Sequence, residues 1–292
     1  MPEAEVSITV DLVRALLREQ HADLAGLSVV DAGEGWDHRQ FRLGAELLVR
    51  LPRRQAAAAV IEHEQRWLPV LAPRLPVAVP SPVRVGQPGC DFPWAWSVAP
   101  WFTGDIAATV NPDALAPPLG EILLALHPPA PPDAPVNPFR TSLVSRSEVF
   151  AERVSRVGHR LDRTAAAAVW DAAVRAPSWK GPPVWLHADL HPANLIVHDG
   201  HLAAVIDFGD LTAGDPAVDL AVAWMLWPRS IRESFRNVVD RSSPWTDDAT
   251  WRRARGWALA LGVAYLANSE DNPTMDTIGH RTVAAVLGGG PD

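Results

Sequence analysis

The 292-residue chain has one cysteine, Cys90, and one lysine, Lys180. A single cysteine excludes an internal disulfide and a cysteine-based zinc site. The lone lysine lies outside any Gly-Lys-Ser/Thr sequence, so a Walker A loop is excluded. If the chain binds ATP or GTP, arginine has to contact the phosphates. The longest apolar run, Leu220–Trp227, is far short of the roughly 20 residues that span a bilayer. The opening MPEAEVSITVD is acidic and poor in apolar residues, unlike a secretory signal. A soluble, cytoplasmic protein with no membrane partner is expected. Positive charge is in deficit, 26 Lys and Arg against 34 Asp and Glu, for a net charge of −8. That balance argues against a nucleic-acid partner and tolerates a cationic substrate. The length suffices for a sizeable core and favours two lobes.

The most informative stretch is His187 to Asp207, HADLHPANLIVHDGHLAAVID. Leu195–His198 and His201–Ile206 are apolar runs around Asp199-Gly200, a pair that favours a two-residue hairpin turn. Such a turn pairs His198 with His201 and Asn194 with Val205. Strand alternation then puts Asp207 on the face of Val205, diagonal to Asn194 at roughly 7–8 Å between backbones. An amide oxygen and a carboxylate at that spacing can share one hard cation. Asp189 lies in the loop just before. Three such oxygen groups are the pattern of phosphoryl transfer. One aspartate accepts a proton from the attacking hydroxyl, while the asparagine and second aspartate hold Mg2+ against the nucleotide phosphates.

This segment, with D-x4-N, a hairpin and Asp207-Phe208-Gly209 in order, resembles the catalytic loop of the aminoglycoside/macrolide phosphotransferase family and, beyond it, the protein kinases. Two other readings use the same residues. One is a catalytically silent, kinase-like nucleotide-binding protein. The other is a metal-dependent hydrolase built on His187, Asp189, His191 and Asp207.

The N-terminal third fits the resemblance. Thr9 and Asp11 precede Leu12, Val13, Leu16 and Leu17, a capped amphipathic helix. Leu27–Asp31, Phe41–Leu43 and Leu47–Leu51 read as strands, with Gly33-Glu34-Gly35-Trp36-Asp37 after the first. Gly33 and Gly35 let backbone approach phosphates closely. The EGWD run followed by RLG and VRLPRR resembles the macrolide phosphotransferases, with His38 where that pattern usually has asparagine. Gln55–Leu71 is helical, with Val60, Ile61, Glu64 and Leu68 on one face. A carboxylate on an apolar face needs a partner. The resemblance names Arg50, which stands where kinases carry the phosphate-binding lysine; surface pairing with Arg53 or Arg54 is the alternative. Arginine can grip two phosphate oxygens at once. After the proline-rich Pro73–Pro82, the aromatic, strand-like Phe92–Trp101 leads to Phe102-Thr103-Gly104. The resemblance makes this the hinge that meets adenine, with Pro100 as carbonyl acceptor and Phe102 as N–H donor.

The rest reads as mainly helical: Leu115–His127, one or two helices in Glu148–Arg175, then Val218–Trp227, Ile231–Val239 and Thr250–Asn268. Only five residues separate Gly209 from Asp215, and Ala188 replaces the arginine that protein kinases use to read a phosphorylated loop. Both features point to a small-molecule substrate. Asp215 is expected to cap the next helix; the alternative is that it also hydrogen-bonds the catalytic loop. The resemblance makes Trp224, Trp227, Glu233, Trp257, Glu270 and Asp271 candidates to line an acceptor pocket. For the tryptophans core packing is the stronger expectation, and for the acids a solvated surface. The tail Gly288-Gly289-Gly290 is expected to fray.

The expected fold is therefore α+β and protein-kinase-like: a β-sheet-plus-helix N-lobe over 1–100 that binds nucleotide, and a mainly helical C-lobe over 101–292 with the catalytic loop and acceptor helices. The implied activity is transfer of the γ-phosphate of ATP or GTP to a hydroxyl of a small molecule, such as an aminoglycoside or macrolide antibiotic. The implied roles are Asp189 as base, Asn194 and Asp207 as Mg2+ ligands, and Gly33, Gly35, Arg50, Glu64, Pro100 and Phe102 around the nucleotide.

Overall fold

The computed structural model describes residues 3–288, so Gly289 and Gly290 of the tail lie outside the described residues. The chain divides into two compact units. The first comprises 3–74, Ala78–Thr103 and Asp207–Gly209; the second comprises Leu75–Val77, Gly104–Ile206 and 210–288.

The first unit opens with α1 (Val10–Gln20). Thr9 Oγ1 accepts the Leu12 N–H at 3.2 Å, which satisfies one of the helix's orphan donors. Strands β1 (Val29–Glu34), β2 (His38–Leu43), β3 (Leu47–Pro52), β4 (Arg84–Gly86) and β5 (Trp96–Pro100) form one antiparallel sheet in the order β1-β2-β3-β5-β4. Its inward side chains, Phe41, Leu43, Val49, Leu51, Trp96 and Val98, bury the apolar stripe of α1 at Val13, Leu16 and Leu17. The alternation of these residues along each strand is what gives the sheet one buried face. Between β3 and β4 runs α2 (Gln55–Leu71), whose buried side includes Ala57, Ala58, Ile61, Glu64 and Leu68. The first strand extends further than its apolar pattern suggests. It continues through Gly33, where a bulge follows Asp31 and φ is +97°, a conformation that costs glycine least.

The second unit contains β6 (Asp105–Ile106), α3 (Ala116–Leu126), α4 (Ser147–Val157), α5 (Arg163–Arg175), β7 (Val184–Leu186), β8 (Leu195–His198), β9 (His201–Val205), β10 (Thr212–Gly214), α6 (Ala217–Leu220), α7 (Val222–Leu226), α8 (Arg229–Ser242), α9 (Asp248–Asn268) and α10 (Pro273–Gly288). Strands β6, β8 and β9 form one small sheet and β7 with β10 another. The long α9 runs through the core and buries Trp251, Trp257, Leu259 and Val263. Trp224, Trp227 and Trp257 are likewise core residues. Trp227 donates its indole N–H to the Pro112 carbonyl at 2.8 Å. Glu233 is exposed and paired with Arg229, and Glu270 and Asp271 are exposed.

The hairpin corrects the expected register. The turn is the anticipated Asp199-Gly200, both at positive φ, and His198 pairs with His201. A bulge at Ala203 then shifts the ladder, so that Val205 pairs with Leu195 instead of Asn194. One inserted residue is invisible to an alternation argument because it occupies a position without pairing. The Asn194 carbonyl instead accepts the Ile206 N–H at 2.9 Å. Asp207 lies beyond the strand at φ +63°, so its direction comes from a left-handed turn and not from the pleat.

Candidate active site

The sequence-derived site residues fall into two sets. In the first unit, β3 presents Arg50 toward α2. Arg50 Nη1 donates to Glu64 Oε2 at 2.6 Å, and both side chains are buried. The surface alternative for Glu64 does not form: Arg53 pairs with Glu34 at 3.2 Å and Arg54 with Asp37 at 2.8 Å. Burial pushes the Glu64 carboxyl up from its ordinary value, against the opposing pull of Arg50. Arg50 Nη2 lies 3.4 Å from His38 Nδ1 and 3.9 Å from the Asp207 carboxylate. Burial and the Arg50 charge hold the His38 imidazole well below its ordinary pKa. The ring is therefore neutral, with Nδ1 accepting from Arg50 and the proton on Nε2. That Nε2 is buried with no hydrogen-bond partner among the described residues.

The glycine segment is tied to the same strand. Gly35 N–H donates to the His38 carbonyl at 2.9 Å, and Arg53 Nη1 donates to the Gly35 carbonyl at 3.2 Å. Gly33 N–H is taken by Asp31 Oδ1 at 2.9 Å. Pro100 ends β5, opposite Leu47, and Phe102 follows Trp101, whose N–H is held by the Glu46 carbonyl at 2.7 Å.

In the second unit, the loop after β7 carries Asp189. Ala188 sits at φ +66°, which costs an L-residue roughly 1–2 kcal/mol. The strain is held from α6: Asp219, fully buried, accepts the N–H of His187 at 2.9 Å and of Ala188 at 2.8 Å. Of the two readings of Asp215, helix capping holds and bonding to this loop does not. Asp215 caps α6 at the Ala217 N–H and pairs with Arg253 at 2.6 Å, while Asp219 does the bonding. A carboxylate inside the apolar run AVDLAVAW was the available signal, because a buried charge needs donors.

Asp189 itself has two side-chain partners. Arg140 Nη2 reaches Oδ1 at 3.3 Å, and His191 Nε2 lies 3.6 Å from Oδ2. His191 Nδ1 accepts the Ala193 N–H at 3.2 Å, which leaves the ring proton on Nε2, facing the carboxylate. Burial alone would raise the Asp189 pKa. The His191 ring N–H and the Arg140 guanidinium outweigh it and hold the carboxyl well below the ordinary range. Arg140 also donates to the Ala188 carbonyl at 2.6 Å and to Asp210 Oδ2 at 3.0 Å. Sequence reasoning missed this arginine, which lies in a proline-rich loop with no periodic or motif signal. Asn194 is buried and donates Nδ2 to the Asp189 carbonyl at 3.0 Å, so its side-chain oxygen remains an acceptor.

The metal-hydrolase alternative fails on the histidines. His187 Nδ1 accepts the Asp189 N–H and Nε2 meets the Ile206 carbonyl at 2.9 Å, and His191 Nδ1 is likewise engaged. Among the described residues no group of three or more His, Cys, Asp or Glu is arranged to hold a metal ion.

A model of the phosphotransferase enzyme family matches residues 28–257. The chain belongs to this family. Solved structures agree in fold with the phosphotransferase described here. The GDP complex of wild-type aminoglycoside 2'-phosphotransferase-IIIa superposes with a TM-score of 0.72 at 19% identity, covering 94% of this chain and 97% of that one. The apoenzyme of macrolide 2'-phosphotransferase MphH from Brachybacterium faecium gives 0.64 at 23% identity, covering 97% and 98%. The streptomycin–ATP–APH(2")-IIa ternary complex gives 0.60 at 17% identity, covering 97% of each. The fold is thus the kinase-like α+β architecture, with an antiparallel-sheet N-lobe and a helical C-lobe. No curated protein sequence matches the chain. No helix among the described residues is long and apolar enough to cross a membrane.

Proposed function

We propose that this phosphotransferase moves the γ-phosphate of ATP or GTP to a hydroxyl of a small molecule, with Asp189 as the base. The observation that carries the reading is the state of Asp189: ionised, and oriented by Arg140 and His191 on a strained loop that Asp219 holds in place. A carboxylate of such low pKa is a weak base toward a resting hydroxyl. It orients the hydroxyl by accepting its hydrogen bond. It takes the proton once bonding to phosphorus has made that hydroxyl acidic, late in a loose transition state.

The first unit would serve the nucleotide. Arg50, set by Glu64 and His38, holds phosphate oxygens, Gly33 and Gly35 offer backbone to them, and Pro100 and Phe102 meet the base. Asn194, whose side-chain oxygen remains an acceptor, and Asp207, whose carboxylate is half-exposed, each carry an oxygen that would suit Mg2+. One amide and one carboxylate suit a cation that takes its other ligands from phosphates and water. When bound, magnesium neutralises charge on the phosphates. A nucleotide-dependent enzyme of this kind belongs in the cytoplasm.

The test is label transfer from γ-labelled ATP and GTP, with magnesium, to aminoglycosides, macrolides, amino alcohols and sugars, with Asp189→Asn as the comparison. Loss of about 10²–10⁴-fold in rate with nucleotide affinity retained is expected. A rate within tenfold of the parent, about 1.4 kcal/mol of barrier, removes Asp189 as the base.

A further inference from the structure

The second unit has a surface that its fold does not require. Its exposed large apolar side chains, among the described residues, are Val136, Phe139 and Val144. All three lie in the segment that carries Arg140, the partner of Asp189. Apolar side chains left exposed beside a reactive group are available to cover an apolar part of a ligand. Arg146 follows, with its guanidinium 5.3 Å from the Phe139 ring centroid. Seven residues on, two helical turns along α4, stands Arg153 on the same face. Phe150, between them on that face, is buried and stacks on Trp170 at 4.0 Å, which anchors the helix.

Arg146 and Arg153 are half-buried, and neither forms an ion pair among the described residues. Two arginines that follow in the sequence differ. Arg156 donates to the Ala267 carbonyl at 2.6 Å, and Arg160 pairs with Asp276 at 2.7 Å. Burial and then the Arg140 charge push the Arg146 guanidinium below its ordinary pKa. Burial and Arg146, with Arg140 behind them, do the same to Arg153 against the opposing pull of Glu152. Three like charges thus repel one another; Glu152, which pairs with Arg156, offsets only part of this at Arg153, and no acid among the described residues acts on Arg146. Partly desolvated, unpaired charge is costly to a fold, and a ligand of opposite sign relieves the cost. A further polar group is uncommitted nearby. The Tyr265 hydroxyl is buried and has no hydrogen-bond partner among the described residues, and its ring meets that of His191 edge-on at 5.7 Å. Burial and the Asp189 charge keep this phenol protonated, so it is a donor.

We infer that the acceptor is an anionic hydroxyl compound with an apolar body, its carboxylate or phosphate lying on Arg146 and Arg153 and its hydroxyl on Asp189. The inference rests on the proposed transfer reaction. The apolar body lies on Phe139 and Val144, and Tyr265 donates to a polar atom near the reacting hydroxyl. An acceptor with several ammonium groups is disfavoured, since Arg140, Arg146 and Arg153 all repel it.

The test has two arms on the full chain. In the first, label transfer from γ-labelled ATP with magnesium is measured for phenyllactate, a hexose phosphate, a neutral phenylethanediol and kanamycin. Transfer to phenyllactate or the hexose phosphate, but not to kanamycin, is expected, and which of the two reacts separates carboxylate from phosphate. Arg146→Gln with Arg153→Gln should raise the acceptor KM at least tenfold and leave the KM for ATP unchanged. The corresponding lysine variants should restore part of the loss, which a folding defect would not allow. Preference for kanamycin or for the neutral diol overturns the inference. The second arm needs no turnover. Calorimetric binding of phenyllactate and the hexose phosphate is compared for the parent, the double glutamine variant and Asp189→Asn. Binding at least tenfold weaker in the double variant than in the parent, and a smaller loss in Asp189→Asn, supports the anion site. Equal binding by parent and double variant, or no binding by either, overturns it. Binding that depends on the arginines, with no label moved to any acceptor, supports the anion site and counts against the transfer reading instead.

Discussion

Two arginine–carboxylate pairs, one in each unit, put the same chemical groups to opposite uses. Arg50 and Glu64 are 6% and 2% exposed, meet at 2.6 Å, and lie behind the first sheet's apolar face. Arg140 and Asp189 are 14% and 31% exposed and meet at 3.3 Å, and Arg140 divides its donors among Ala188, Asp189 and Asp210. Burial wins at Glu64, whose carboxyl is pushed up even with an arginine in contact. Donors win at Asp189, whose carboxyl is pulled down despite desolvation. At Glu64 the like charge of Asp207 adds to the burial cost, and Arg50 with the Phe208 N–H offsets only part of the sum, whereas at Asp189 a guanidinium plus a ring N–H reverses the cost. A closed pair fixes the position of its arginine. An open, shared pair fixes an anion and still leaves it accessible to a ligand.

Breaking each pair should separate these uses. Glu64→Ala strands a buried guanidinium and should cost about 3–5 kcal/mol of stability, read from denaturant midpoints at unchanged slope. Nucleotide affinity should fall with it. Arg140→Met should instead leave nucleotide affinity unchanged and lower kcat about tenfold, near 1.4 kcal/mol. Its second signature is in pH. The Asp189 carboxyl lies below its ordinary value, so the stability it contributes is present above the ordinary aspartate pKa and lost as pH falls through the depressed one. Removing Arg140 raises that lower value, so the acid limb of the rate profile should move to higher pH. An unmoved limb would show that His191 alone sets the carboxylate. At the small end, Arg229→Ala breaks the solvated pair with Glu233, in which both partners are about 60% exposed, and should change stability by no more than about 0.5 kcal/mol.

Much of this arrangement was legible in the sequence wherever local chemistry decides the structure. Thr9 and the Leu16-Leu17 stripe specify α1, the apolar face of Gln55–Leu71 specifies α2, and Asp199-Gly200 specifies a tight turn. That Glu64 needs a partner followed from its place on an apolar helix face, and the family resemblance named Arg50 as that partner. The illegible parts depend on residues distant in sequence or on one uncounted position. Ala203 bulges and moves the ladder by a residue. Arg140 reaches Asp189 from 49 positions away, and Asp219 reaches Ala188 from 31. Periodicity reports on neighbours along an element and is silent on which loop arginine meets which aspartate. Tyr265 was lost for the same reason, as the one hydroxyl in the apolar stretch Trp257–Ala267 of α9.

The buried carboxylate of Asp219 has one more consequence, for motion. Loops that carry reactive groups ordinarily belong to the least protected parts of a protein. Here the amide hydrogens of His187 and Ala188 are locked onto a side chain anchored in a core helix. Opening them requires breaking charge-assisted bonds in a water-free setting. Their exchange with deuterium should therefore be as slow as that of α9, with no ligand present. The loop would then stand ready before any substrate arrives, and turnover would carry no cost for ordering it.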